Sequence, residues 1–116
     1  MNFRDGYLVA GQPLGALPQD VTLTADDTTI ILSQQTALIR LYSDSTTAAN
    51  RTFLLPPGWI IGQDLTICFM STGSTTAQLQ DSGNVALSAA WTPLVNDTLR
   101  LMWNGTVWVE ISRSDN

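Results

Sequence analysis

Apolar and polar side chains alternate along most of this chain, most clearly from Asp97 to Arg113. Leu99, Leu101 and Trp103 alternate with Thr98, Arg100 and Met102; beyond Asn104-Gly105, Val107, Val109 and Ile111 alternate with Trp108, Glu110 and Ser112. Period-two patterning on both sides of an Asn-Gly pair predicts a β-hairpin. Loop length sets its register, and a slip of one residue moves every side chain to the other face. A two-residue loop would place Leu101 opposite Trp108 and Leu99 opposite Glu110. A three-residue loop, Trp103-Asn104-Gly105 with Gly105 left-handed and a bulge beside it, gathers Leu99, Leu101, Trp103, Val107, Val109 and Ile111 on one buried face. The three-residue loop is the expected form. Arg100, Trp108 and Glu110 then share the opposite face, with Arg100 placed to stack on the indole.

Upstream, short apolar runs follow at close spacing: Val21 to Thr24, Thr28 to Leu32, Ala37 to Ser43, Arg51 to Leu55, Asp64 to Ser71, Ala77 to Gln80 and Val85 to Leu87. Leu65, Ile67 and Phe69 on one side of the fifth run face Thr66, Cys68 and Met70 on the other. Two fairly apolar faces mark a central strand. Pro56-Pro57-Gly58 and Asp81-Ser82-Gly83-Asn84 are turns, and Trp91-Thr92-Pro93 leads into the hairpin. No helix is predicted and no exact repeat is present. The expected fold is all-β, an antiparallel β-sandwich or jelly roll over residues 21–116.

Residues 1–20 differ from the rest. Gly6, Gly11, Pro13, Gly15 and Pro18 break regular structure, yet Phe3, Tyr7, Leu8, Val9, Leu14 and Leu17 are too apolar for a solvated tail. The expectation is an extended N-terminal arm lying along a surface: its own domain, a sister subunit or another protein.

Composition narrows the function. The 116 residues suit one domain with a core of its own. The chain has no His, no Lys and one Glu, so the commonest general base and amine nucleophile are missing. A net charge of −5, with five scattered Arg, disfavours nucleic acid as a partner. Cys68 is alone, which excludes an internal disulfide and a Cys/His metal cluster; in mid-strand it reads as a small hydrophobe. Asp26-Asp27, Asp44 and Asp81 match no calcium loop and read as turn caps. No catalytic, metal or cofactor site is expected. No apolar run approaches the ~20 residues of a membrane span, and the first residues lack a secretion-signal layout, which points to synthesis in a cytoplasm and no membrane partner. Exposed indoles on a β-domain could stack on a sugar; packing in a core or interface is the commoner use.

From Thr28 to Arg113 the chain resembles a β-domain of tailed-bacteriophage virion proteins: head decoration (cement) proteins, head fibres and parts of tail fibres. The resemblance lies in Phe53-Leu54-Leu55-Pro56, then Gly62-Gln63-Asp64-Leu65-Thr66-Ile67, the polar turn Ser71 to Thr76, the Gly-containing element Asp81 to Leu87, and the closing run Leu99 to Trp108. Many fibre copies sit inside long chains, whereas this copy fills nearly the whole sequence, which favours a decoration protein or short head fibre. The resemblance implies a homotrimer on the outer capsid surface, in contact with the major capsid protein. The arm residues Phe3, Tyr7, Leu8, Val9, Leu14 and Leu17 would make capsid or inter-subunit contacts. Arg100, Trp108 and Glu110 would form a subunit interface or a sugar platform. The alternative function is a carbohydrate-binding module of a tail fibre or baseplate, using Trp108, Trp91 or Trp59.

Overall fold

The computed structural model describes residues 17–33, 36–44, 51–72 and 76–116. They form nine strands and no helix: β1 (Leu17–Leu23), β2 (Thr28–Thr29), β3 (Thr36–Ser43), β4 (Arg51–Leu54), β5 (Asp64–Phe69), β6 (Ala77–Leu79), β7 (Val85–Ala86), β8 (Thr98–Trp103) and β9 (Trp108–Ser114). Every run that alternation marked as a strand is one, and the all-β class holds. β1 begins at Leu17, so residues 17–20, expected in the arm, belong to the sheet. Phe3, Tyr7, Leu8, Val9 and Leu14 lie outside the described residues.

The strands are distributed alternately. β1, β3 and β5 join one sheet, in the order β1-β3-β5-β8-β9-β7, while β2, β4 and β6 form a second, three-stranded sheet. Each return to a sheet brings the chain back in the same direction, so β1/β3, β3/β5, β2/β4 and β4/β6 are all parallel. The expected antiparallel arrangement is therefore corrected: only β5/β8 and β8/β9 are antiparallel among the described strands. The first six strands wind as a short coil, and the hairpin β8–β9 closes it. Gln19 pairs with Ile39 and Ile39 with Ile67, offsets of 20 and 28 residues. The connections differ in length, which is why no repeat shows in the sequence.

The core lies between the two sheets. Leu23, Ile39, Leu41, Leu65, Ile67, Phe69, Leu99 and Leu101 from the large sheet pack in one cluster with Ile30, Phe53, Leu55, Ala77 and Leu79 from the other side. β5 is indeed central, with β3 on one flank and β8 on the other. Its second face is half-buried: Cys68 sits there between Arg40 and Thr98 rather than in the core.

The hairpin differs from its expected register. Trp103 pairs with Trp108, Met102 with Val109 and Leu101 with Glu110, around a four-residue loop, Asn104 to Val107. The Asn104 side-chain oxygen accepts the Thr106 and Val107 N–H groups at 2.8 and 2.9 Å. Gly105 is left-handed as expected, with φ 101°. An even loop turns Trp108 inward. It is fully buried, its ring centroid lies 5.5 Å from that of Trp103, and its Nε1–H donates to the Pro56 carbonyl at 2.8 Å. An indole buries far more apolar area than the valines of the rival register, so burial decides the pairing. The bulge falls not beside Gly105 but at Ile111, where the pairing steps from Leu101/Glu110 to Arg100/Ser112. Ile111 is consequently exposed, not core.

Candidate functional site

Arg100, Trp108 and Glu110 do not form one surface. Trp108 is in the core. Arg100 is on the outer face of the large sheet, across from Thr66 and Ser112, and its Nη2 lies 3.5 Å from the Asp64 carboxylate. Glu110 lies on the other side of β9, only 12% exposed, and takes Arg113 as its partner at 2.7 Å. Sequence reasoning missed Arg113, although the i, i+3 spacing was visible.

The Glu110 carboxylate also accepts the Ser88 N–H at 2.9 Å and the Ser88 hydroxyl at 3.1 Å, and Arg113 donates to the Ala89 carbonyl at 2.8 Å. These bonds hold the segment after the two-residue strand β7 against β9. The Arg113 hydrogen bond, helped by Ser88 and opposed by partial burial, lowers the Glu110 pKa from 4.5 to about 2. A carboxyl lowered in the folded state stabilises it above the ordinary pKa and loses that contribution as pH falls through the folded value. Wild type should therefore lose stability between about pH 4.5 and pH 2 at this site. Glu110→Gln should flatten that dependence and cost roughly 1–3 kcal/mol near neutral pH. Thermal melts of both proteins from pH 7 to 2 measure it; parallel curves would show that Glu110 does not titrate with folding.

The other acidic residues act as braces and caps. Asp81 accepts the Leu87 N–H at 2.8 Å, Asp27 accepts the Thr52 hydroxyl at 2.7 Å, and Arg51 lies 3.2 Å from Asp44 and 3.7 Å from Asp26. Among the described residues no group of three or more Cys, Asp or Glu could hold a metal ion. A shallow apolar cavity of about 270 Å³ lies between the Leu54–Pro57 corner and the Ser82–Val85 turn, with no titratable side chain in its lining.

The most unusual surface is at one end of the large sheet. The segments meeting there are the start of β1, the β2–β3 connection, the β4–β5 connection and the β8–β9 loop. Trp59, Ile60 and Ile61 project from it at 60, 66 and 74% exposure, and Ile31 at 83%. Their exposure is built in by the backbone. The Gln63 N–H donates to the Ile60 carbonyl at 3.0 Å, closing a tight turn whose third position is Gly62 at φ 92°, a backbone angle that favours glycine. Gly62 N–H donates to the Trp103 carbonyl and Trp103 N–H to that of Gln63, at 2.7 and 2.9 Å, so the turn is fixed to β8. The two isoleucines occupy its corners and cannot reach the core. Ile61 leans over Gly105, where an added Cβ would stand 3.2 Å from its side chain. Trp59 Nε1–H donates to the Leu32 carbonyl at 2.9 Å, which ties the indole to the segment that carries Ile31. Trp103, Trp108 and Trp91 are buried, so of the four indoles Trp59 alone is open to solvent.

Charge is arranged to match. Residues 28–39, 52–63 and 101–109 carry no charged side chain. The nearest charges on the large sheet's outer face are paired, Asp64 with Arg100 and Asp20 with Arg40. The far end of the sheet holds Asp26, Asp27, Asp44, Asp97 and Asp115, against Arg51 and Arg113. The domain thus has an apolar, uncharged pole and an acidic one. No family model matches the chain, and no curated protein matches it.

Proposed function

We propose that this chain is a structural virion protein: a decoration (cement) protein that binds the outer surface of a tailed-phage head as a homotrimer and stabilises the shell. The observation that carries the reading is the apolar, uncharged pole of an otherwise acidic domain. Four large apolar side chains, Ile60 and Ile61 held outward by a fixed turn and Trp59 and Ile31 exposed on the segments beside it, make a contact surface, the kind that assemblies cover. The resemblance from Thr28 to Arg113 supplies the class of assembly, and the acidic remainder suits a solvent-facing shell rather than packaged DNA. The apolar residues Phe3, Tyr7, Leu8, Val9 and Leu14 are assigned to the capsid or inter-subunit contact, with the major capsid protein as partner; Leu17, the first residue of β1, is left out of the assignment. Their segment would lie across it as extended chain. The reading gives the chain no catalytic role. Its mechanism is mass action: a protein that binds only the assembled lattice stabilises that lattice, by about 2.7 kcal/mol per site at a free concentration of 100 Kd.

The test uses heads of the parent phage stripped of this protein. Added full-length chain should bind and raise the temperature at which the heads release DNA. A chain lacking residues 1–16, which keeps all of β1, should not bind. Full occupancy by the truncated chain would overturn the arm assignment, and failure of the full chain to bind would overturn the function. The second reading, sugar binding in a tail fibre or baseplate, now rests on Trp59, because Trp91 and Trp108 are buried. A glycan-array signal abolished by Trp59→Ala would favour it.

A further inference from the structure

We propose that the pole formed by Ile31, Trp59, Ile60 and Ile61 is the self-association surface of this protein, covered in solution by the same pole of a second copy. The inference rests on the self-association part of the function above, not on its three-fold form: a pole-to-pole contact joins two copies, and a trimer in place of a dimer overturns it.

Charge selects the occupant. Two copies of a chain with net charge −5 repel wherever their acidic surfaces meet. At this pole they do not, because the described residues of the four segments that build it, 17–19, 30–33, 55–63 and 104–107, are uncharged, and the flanking Asp64 and Asp20 are paired with Arg100 and Arg40. β3 has eight residues, so at ~3.3 Å per residue the acidic pole lies roughly 25 Å behind the contact. Two copies joined pole to pole hold their acidic ends about twice that distance apart, far beyond the ~8 Å screening length at physiological salt. A partner recognised by charge would need an unpaired cation or anion here, and among the described residues the pole offers neither.

Area is consistent with a second copy. The exposed parts of one Trp and three Ile present on the order of 500 Å² of apolar surface, at the upper end of what single chains leave open. Two such faces bury about 1,000 Å², the threshold of a specific interface. The uncharged stretch 6–16 joins the domain at this same end, through Leu17.

The experiment uses the full-length chain and the full-length double variant Ile60→Ser/Ile61→Ser. Both isoleucines are exposed, and the near-ultraviolet dichroism of the buried Trp103–Trp108 pair reports that the fold is kept. Sedimentation is followed from about 1 μM to about 1 mM, with acrylamide quenching of Trp59 fluorescence measured in parallel. The expected result is association of the wild type, an apparent Kd raised at least tenfold in the variant, and wild-type Trp59 becoming more quenchable on dilution. Tenfold corresponds to about 1.4 kcal/mol. A wild type that stays monomeric at ~1 mM with Trp59 open overturns the proposal. A monomer whose Trp59 is shielded at every concentration also overturns it and identifies residues 1–16 of the same chain as the cover. An oligomer indifferent to the substitutions overturns this surface while leaving the homo-oligomer standing. Capsid binding is read separately, so the two failures are distinguishable.

Discussion

Trp108→Ala should destabilise the domain by about 3–5 kcal/mol, the range for removing a fully buried aromatic side chain. Three losses combine. The indole leaves a cavity beside Trp103, the edge-tilted ring pair at 57° is broken, and the Pro56 carbonyl loses the Nε1–H that satisfies it. At roughly 4 °C per kcal/mol for a domain of this size, the melting temperature should fall by about 12–20 °C. Trp108→Phe should recover much of the packing but not the hydrogen bond, and fall between. Thermal or urea unfolding measures all three proteins. A Trp108→Ala cost below about 0.5 kcal/mol, the usual size for an exposed site, would return this residue to the surface face expected from the three-residue loop.

Gly58→Ala should be the most damaging single-methyl change, at about 3 kcal/mol or more. A Cβ at Gly58 would stand 2.3 Å from Trp103 Cγ, 2.6 Å from Cδ2 and 2.7 Å from Cβ. Overfilling a packed site commonly costs 1–3 kcal/mol, and here the obstacle cannot swing away. Trp103 has Trp108 against its ring, and its backbone is bonded to Gly62 and Gln63. The strain is a matter of space, not of backbone angle, since Gly58 is not among the left-handed residues. The check is a double-mutant cycle with Trp103→Leu. Gly58→Ala should cost much less in that background, and additive costs would remove the steric explanation.

These two sites show what could be read from the sequence. Each strand was legible because burial of one face imposes period two, and Leu65, Ile67 and Phe69 carry that signal without help. Pairing was not, because alternation tells which face a residue takes and not which strand lies beside it. Ile39 is equally well buried next to an antiparallel neighbour or, as found, next to Gln19 and Ile67 in parallel. The hairpin failed for a subtler reason. Both registers bury an apolar row, and the choice turned on the burial of one indole, whose Nε1–H is satisfied there by the Pro56 carbonyl, fifty-two residues away in the chain. The apolar pole was present in the sequence as Gly58-Trp-Ile-Ile-Gly62. It read as an ordinary corner because only the fold brings Ile31 and Gly105 to the same place and leaves the other three indoles inside.

The alternation of strands between two sheets also has a kinetic meaning. Each parallel rung of the coil closes a loop of some 20 residues or more before its first contact is made, whereas the hairpin closes over four. Loop-closure entropy is charged before any non-local pairing is rewarded, so the hairpin is the segment that can form earliest, and β5 is the first coil strand that can dock on it. Synthesis delivers the strands in the opposite order. β1 through β6 are synthesised before the element that can seed them, so a coil seeded by the hairpin would wind backward, from β5 to β3 to β1, against the direction in which the chain was born.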